Sequence, residues 1–68
     1  MSELTLLSPE ISCEHCQRTI EGDLGKLAGV SLVRVDVPQQ TVLVHYDPQM
    51  LTREQIVATL DEIGYPIT

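Results

Sequence analysis

The alternation of apolar and polar residues along the chain predicts three strands. Leu4 and Leu6 alternate with polar neighbours within Glu3–Ser8, which is typical of a strand that buries one face. Valines alternate in the same way within Val30–Val37 and Thr41–Tyr46, where we expect two further strands. The short Pro-Gln-Gln connection between these last two fits a hairpin, so they should pair antiparallel.

Two other segments show the spacing of helices that bury one side. In the first, expected over Glu14–Leu27, apolar residues recur at intervals of four, four and three. The second begins with a capping box at Thr52 and Gln55, whose side chains satisfy backbone donors at the start of a helix. We expect this second helix to end at Gly64.

The closing segment, Tyr65–Thr68, predicts only a short last strand, and Pro66 restricts it to a sheet edge. The predicted order is therefore β-α-β-β-α-β. This order is typical of an α+β, ferredoxin-like sandwich, in which two helices cover one face of a four-stranded antiparallel sheet. We expect a single domain over residues 1–68.

Composition limits the functions that are open to the chain. With no phenylalanine or tryptophan, the core must consist of leucine, valine and isoleucine. The net charge of −6 disfavours nucleic-acid binding, although it suits a basic protein partner. No apolar run approaches the roughly 20 residues of a membrane span, and the first residues lack the pattern of a signal peptide. We expect a cytoplasmic protein without membrane insertion, whose thiols stay reduced.

The chemistry of the chain centres on Cys13 and Cys16, its two cysteines, which form a C-x-x-C motif. The motif falls where the first strand passes into the first helix. A helix N-terminus favours negative charge and so lowers thiol pKa values. Two thiolates at a loop are a soft ligand pair, better suited to Cu(I) than to hard cations.

Other sites remain open alternatives. A structural zinc site needs four ligands, and here it would require both His15 and His45. His15 directly precedes Cys16 and is poorly placed to join the same ion, while His45 falls in the middle of a predicted strand. A thiol-disulfide redox centre normally follows a buried strand in a larger fold. Metal binding is the favoured interpretation, with Zn(II), Cd(II) or Hg(II) as alternatives to Cu(I).

Several runs of sequence resemble the heavy-metal-associated domain family over essentially the whole chain. These runs are ISCEHC, GVSLVRVDV, TVLVHYD and EQIVATLDEIGYPIT. Within that family the chain is similar to the small bacterial copper chaperones. The resemblance implies a non-enzymatic carrier in which Cys13 and Cys16 bind one Cu(I). It also implies a partner that takes the metal by thiolate exchange, usually the N-terminal domain of a copper-transporting P-type ATPase.

The family pattern Gly-Met-x-Cys-x-x-Cys is altered here, because Glu10 and Ile11 replace Gly-Met. The family methionine is a packing residue that tethers the loop, and we expect Ile11 to take that role. Tyr65 matches a tyrosine that bacterial copper chaperones place near the metal loop.

His15 is a second auxiliary candidate, since it matches a C-x-H-C variant common among those chaperones. It could be a third ligand, including in a homodimer that shares copper. Glu10 and Glu14 are weaker candidates, as oxygen ligands for zinc or cadmium.

Overall fold

The three strands expected from valine and leucine alternation form one antiparallel sheet. In the computed structural model, which describes residues 2–67, these are β1 (Ser2–Leu7), β2 (Val30–Asp36) and β3 (Thr41–Tyr46). The strand order is β1-β3-β2, so the hairpin strand β3 lies in the centre. Both β1 and β2 pair antiparallel with it.

The register of the strands places their apolar side chains on one face. Val42 on β3 lies opposite Leu6 of β1 and Val35 of β2, and all three side chains are buried. On the other face, His45 lies opposite Glu3, and their side chains approach to 3.0 Å. The sheet therefore has one face against the core and one face toward solvent.

Two helices complete the part of the chain that the structure describes, α1 (Glu14–Gly25) and α2 (Arg53–Glu62). Each contributes fully buried aliphatic residues to the same core as the inner face of the sheet, so both helices cover that face. These residues are Ile20, Leu24, Ile56 and Leu60. Within residues 2–67, neither helix is long and apolar enough to cross a membrane.

The capping box predicted at the start of α2 is confirmed. The Thr52 hydroxyl accepts the backbone N–H of Gln55 at 3.2 Å, and the Gln55 side-chain oxygen accepts the N–H of Thr52 at 2.9 Å. Two backbone donors without partners inside the helix are thereby satisfied.

The prediction that α1 continues to Leu27 is wrong by two residues, because the helix ends at Gly25. The N–H of Lys26 bonds the carbonyl of Asp23, and that of Leu27 bonds the carbonyl of Leu24. These bonds span three residues rather than four, so the chain tightens as it leaves the helix. Glycine is a poor helix former, which is consistent with the early end.

The prediction of a four-stranded sheet is also wrong for the described residues, because the sheet within residues 2–67 has three strands. Residues 65–67 adopt no strand, and Thr68 lies outside the described residues. Pro66 has no N–H to give to a ladder. It is held instead through its carbonyl oxygen, which accepts the Ser8 hydroxyl at 3.1 Å. The two-helix α+β arrangement remains consistent with a ferredoxin-like fold.

Candidate metal centre

Cys13 and Cys16 lie together at the junction between β1 and α1. Residues 8–13, here called the cysteine loop, connect the strand to the helix. Cys13 is the N-cap residue in extended conformation, and Cys16 lies in the first helical turn. Their sulfur atoms are 3.7 Å apart and both thiols are free. Cys13 is exposed, whereas Cys16 is buried with 7% of its surface accessible.

The cysteine loop begins with a tight turn followed by a buried anchor. The N–H of Ile11 donates to the carbonyl of Ser8 at 3.2 Å, with Pro9 and Glu10 between them. Proline suits the second position of such a turn, and Glu10 has no positive φ, so this turn does not require the family glycine. The Ile11 side chain is fully buried in the core. Burial is what a tethering role requires, and that role stays a prediction.

The thiol of Cys16 ionises more readily than an ordinary cysteine. Its pKa is lowered from 9.0 to about 6, and the largest cause is hydrogen bonding with the Tyr65 side chain. The backbone of Ser12 lowers this pKa next, burial opposes both, and Cys13 lowers it further. The Ser12 hydroxyl also lies 3.9 Å from the sulfur. From the sequence alone, the helix N-terminus is the expected cause of a lowered thiol pKa. In the structure, the largest contributions come from hydrogen-bonding groups around the Cys16 sulfur.

Tyr65 reaches the site because of the way α2 ends. Gly64 has φ of 92°, a left-handed conformation that glycine adopts without strain. The N–H of Tyr65 then bonds the carbonyl of Leu60 at 2.8 Å, and that of Gly64 bonds the carbonyl of Asp61, which together form a Schellman turn. This turn directs Tyr65 toward α1, where hydrogen bonding with Cys16 raises the pKa of the tyrosine.

The remaining ligand candidates are less closely associated with the sulfurs. His15 is exposed on the first turn of α1. Glu14 pairs with Arg18 at 3.2 Å on the exposed side of the helix. Glu10 is exposed, and its backbone carbonyl lies 3.9 Å from the Cys16 sulfur. Among residues 2–67, no three histidine, cysteine or acidic side chains are grouped closely enough to hold a metal ion.

His45 does not belong to the site. It lies on the central strand with its ring nitrogen against Glu3, on the outer face of the sheet. Cys16 is buried in the core on the opposite face. A four-ligand Cys2His2 site within one chain is therefore incompatible with this fold.

Two residues around the cysteine loop were missed by sequence reasoning. Ser8 is fully buried and bonds the terminal segment through its hydroxyl. Gln40, in the turn between β2 and β3, bonds the loop through its side chain. The sequence carries no clear signal for either, since both contacts join segments that are far apart along the chain.

The geometry of the two sulfurs suits a single metal ion. A disulfide requires about 2.05 Å between sulfurs, so the 3.7 Å separation is a non-bonded pair. Two metal–sulfur bonds of about 2.3 Å span up to about 4.6 Å, so one ion can contact both sulfurs after small side-chain rotations. The lowered pKa supplies one thiolate near neutral pH.

Known proteins of similar sequence include copper-transporting ATPases and copper chaperones. Copper-transporting ATPase 1 of Rattus norvegicus is 36% identical over 56 residues, which are 82% of this chain but only 4% of that much longer relative. Copper chaperone CopZ of Bacillus subtilis (strain 168) is 31% identical over 67 residues, covering 98% of this chain and 97% of the relative.

Solved structures of similar fold include a metallochaperone. One described as CopZ metallochaperone matches with a TM-score of 0.95 and 27% identity, over 98% of this chain and all of that one. Residues 5–66 match the heavy-metal-associated domain family. The chain belongs to the heavy-metal-associated domain family.

Proposed function

We propose that this chain is a copper carrier that binds one Cu(I) between Cys13 and Cys16 and passes it to another protein. The observation that carries the proposal is the pairing of an exposed sulfur with a buried one at 3.7 Å. Relatives named as copper chaperones and as copper-transporting ATPases support copper as the cargo. Carriage requires no chemical conversion of the metal, so we propose a non-enzymatic role.

The unequal exposure of the two sulfurs suggests an order for the transfer. A thiolate of the partner can approach the ion from the side of Cys13, which faces solvent. It forms a new copper–sulfur bond as the bond to Cys13 breaks, and a second partner thiolate then replaces Cys16. Each step exchanges one thiolate for another, so copper stays Cu(I) and no electrons are transferred. A released sulfur that becomes protonated takes its proton from the solvent.

Thiolate exchange also limits which partner and which compartment are suitable. A receiving domain with its own thiolate pair meets the requirement, and we propose the metal-binding domain of a copper-transporting P-type ATPase. The chain carries a net charge of −6, which favours a partner surface with basic residues. We place the protein in the cytoplasm, since both thiols must stay reduced to bind the ion.

Copper is favoured over zinc by the ligands that the fold brings together. Zn(II) prefers four ligands in a tetrahedron. Here Glu14 forms an ion pair with Arg18, and His15 is exposed to solvent. The two cysteine sulfurs are therefore the ligand atoms that lie close enough together to bind one ion. Cu(I) accepts a low coordination number with soft ligands. An exposed Cys13 also leaves room for a second copy that carries its own ion, so a metal-bridged homodimer with one Cu(I) per chain is part of the proposal.

The test is an anaerobic titration of reduced protein with Cu(I) in competition with a Cu(I) chelator. We expect about one Cu(I) per chain, and expect Cys13→Ser and Cys16→Ser each to weaken binding by orders of magnitude with unchanged circular dichroism. Ser31→Ala, which alters an exposed hydroxyl on β2, is the control. Tight binding retained in either cysteine variant would overturn the assignment.

A second arm of the experiment addresses the metal and the assembly. Zn(II)-loaded protein is mixed with equimolar Cu(I), and the bound metal is then measured. We expect copper to displace zinc. Sedimentation of the loaded and metal-free forms tests the proposed dimer. If zinc remains bound, the chain is a zinc-type metal binder, and if the reduced protein instead turns over disulfide substrates, it is a thiol-disulfide protein.

A further inference from the structure

Gln40, in the turn between β2 and β3, makes three hydrogen bonds to the cysteine loop. Its carbonyl oxygen accepts the backbone N–H of Ser8 at 2.9 Å. Its side-chain amide nitrogen donates to the carbonyl oxygens of Pro9 and Ile11, each at 2.9 Å. Pro9 and Ile11 lie 31 and 29 positions away in the sequence. One residue of a distant turn therefore fixes the backbone of the loop at three points.

The backbone of Gln40 is itself in an unusual conformation. Its φ is 58°, and among residues 2–67 it is the one non-glycine residue with positive φ. A side chain in this left-handed region costs free energy that glycine avoids. At this position the two bonds from the amide nitrogen, which glycine could not make, offset that cost.

The neighbouring Gln39 shows that the contact is specific to one position. Gln39 is exposed, and its backbone N–H bonds the Asp36 carboxylate at 3.2 Å within the same turn. Gln40 is half-buried, and both of its side-chain bonds go to the cysteine loop. The two residues share the same chemistry and the same turn, so Gln39 provides a matched control.

We propose that Gln40 is a positioning residue for the metal centre, which holds the cysteine loop and thereby limits the rate at which bound Cu(I) is released. Ile11 lies two residues before Cys13, whose exposed sulfur is the one that the proposed transfer releases first. Fixing the Ile11 carbonyl restricts the backbone that carries this sulfur. The statement about copper rests on the proposed function, whereas the restraint on the loop does not.

Three variants separate the side-chain contact from the backbone conformation. Gln40→Gly removes both side-chain bonds, relieves the positive φ and keeps the carbonyl that accepts from Ser8. Gln40→Glu retains the size of the side chain but replaces the donor with an acceptor, which faces two carbonyl oxygens. Gln39→Ala is the control. Urea unfolding of each variant reports global stability.

The first readout is amide hydrogen exchange in the reduced, metal-free protein. We expect the Ile11 amide to exchange about tenfold faster in Gln40→Gly and Gln40→Glu than in the wild type, since two neutral hydrogen bonds are lost. The amide of Val44, at the centre of the sheet, should be unchanged in Gln40→Gly. The second readout is the rate at which Cu(I)-loaded protein gives its metal to a chelator, which should rise several-fold in the same two variants.

The results decide the role of Gln40 separately from the function of the protein. If Gln40→Gly and Gln40→Glu behave like Gln39→Ala in both readouts, the proposal is overturned. It is also overturned if Gln40→Gly speeds exchange equally at Ile11 and Val44, because that result indicates a general loss of stability. If amide hydrogen exchange in the loop becomes faster while copper release is unchanged, Gln40 restrains the loop but does not limit the rate of copper release, and that part of the proposal is overturned. If the wild type binds no Cu(I), the proposed function fails, while hydrogen exchange still tests the restraint on the loop.

Discussion

The Ser8 hydroxyl donates a hydrogen bond of 3.1 Å to the carbonyl oxygen of Pro66 and so joins the start of the cysteine loop to the segment after α2. Ser8 is fully buried, and its N–H is bonded to the Gln40 carbonyl. Three segments that are separate in the sequence therefore meet at one small residue, through its backbone N–H and its hydroxyl. Tyr65 directly precedes Pro66, so this contact also restrains the residue that acts most strongly on the Cys16 thiol.

We expect Ser8→Ala to lower the free energy of unfolding by about 0.5–1.5 kcal/mol, the usual net worth of one hydrogen bond. Urea unfolding of the reduced protein measures this change. Ser31→Ala is a suitable control, because the Ser31 hydroxyl makes a similar bond of 3.2 Å to a carbonyl oxygen but at an exposed position. Equal effects of the two substitutions would show that the bond to Pro66 has no special structural role.

Replacing Ile11 with alanine tests whether its burial tethers the cysteine loop. Ile11→Ala should destabilise the protein by about 2–5 kcal/mol, because it removes a fully buried aliphatic side chain and leaves a cavity. Ile11→Val should cost about 0.5–1.5 kcal/mol and keeps the experiment interpretable if the alanine variant fails to fold. Leu7→Ala, at a side chain that is 47% exposed, serves as the control.

Copper stoichiometry should survive in any Ile11 variant that folds, since Ile11 offers no ligand atom. The measurement combines urea unfolding with the Cu(I) titration described above. An unchanged unfolding midpoint in Ile11→Ala would mean that the loop is held by other contacts, of which the Gln40 side chain is the first to examine.

Local patterns in the sequence were sufficient to predict most of the secondary structure. The capping box at Thr52 requires only contacts within one turn of helix, and the β2–β3 pairing requires only a short connection. The end of α1 at Gly25 and the absence of a fourth strand within residues 2–67 were not predicted, because each depends on how a few residues compete for hydrogen bonds. Pro66, for example, bonds Ser8 instead of entering a ladder.

The candidate site also combines features that the sequence predicts with features that it does not. The proximity of Cys13 and Cys16 follows from their spacing at a helix start, which is a local property. The approach of Tyr65 was expected only from family resemblance, and its physical basis is the turn at Gly64. The contacts of Gln40 could not be predicted, because glutamine is not a residue that signals a left-handed turn conformation.

The stability of the metal-free protein should depend on pH through Cys16. Its pKa is about 6 in the folded chain against an ordinary value of 9.0. Between these values the folded chain holds the thiolate while the unfolded chain holds the proton, so stability rises with pH. This contribution is complete above about pH 9 and is lost as the pH falls through about 6.

Urea unfolding of the reduced wild type and of Cys16→Ser, measured across this range, isolates the effect of the thiol. The difference in unfolding free energy between the two proteins should shift in favour of the wild type as the pH rises. Titrating groups that are distant from Cys16 contribute nearly equally to both proteins and cancel in the difference. A difference that stays constant with pH would show that the Cys16 thiol is not ionised preferentially in the folded state.

Tyr65→Phe should alter the reactivity of the site while leaving its metal capacity intact. The Tyr65 side chain is the largest cause of the lowered Cys16 pKa, so removing the hydroxyl should raise that pKa above about 6. Thiolate absorbance of the reduced, metal-free protein follows this ionisation, and it is compared with and without Tyr65→Phe in a Cys13→Ser background, in which Cys16 is the one remaining thiol. Tyr46→Phe is the matched control, because Tyr46 is the other tyrosine and is buried on β3.

The same variant should still bind about one Cu(I), since both sulfurs remain. Its rate of copper transfer to a chelator should change, because the tyrosine hydroxyl no longer stabilises negative charge on the Cys16 sulfur. A thiolate with less hydrogen bonding is a stronger electron donor, so we expect slower release. A Cys16 pKa and a transfer rate equal to those of Tyr46→Phe would show that Tyr65 is only a packing residue at the edge of the core.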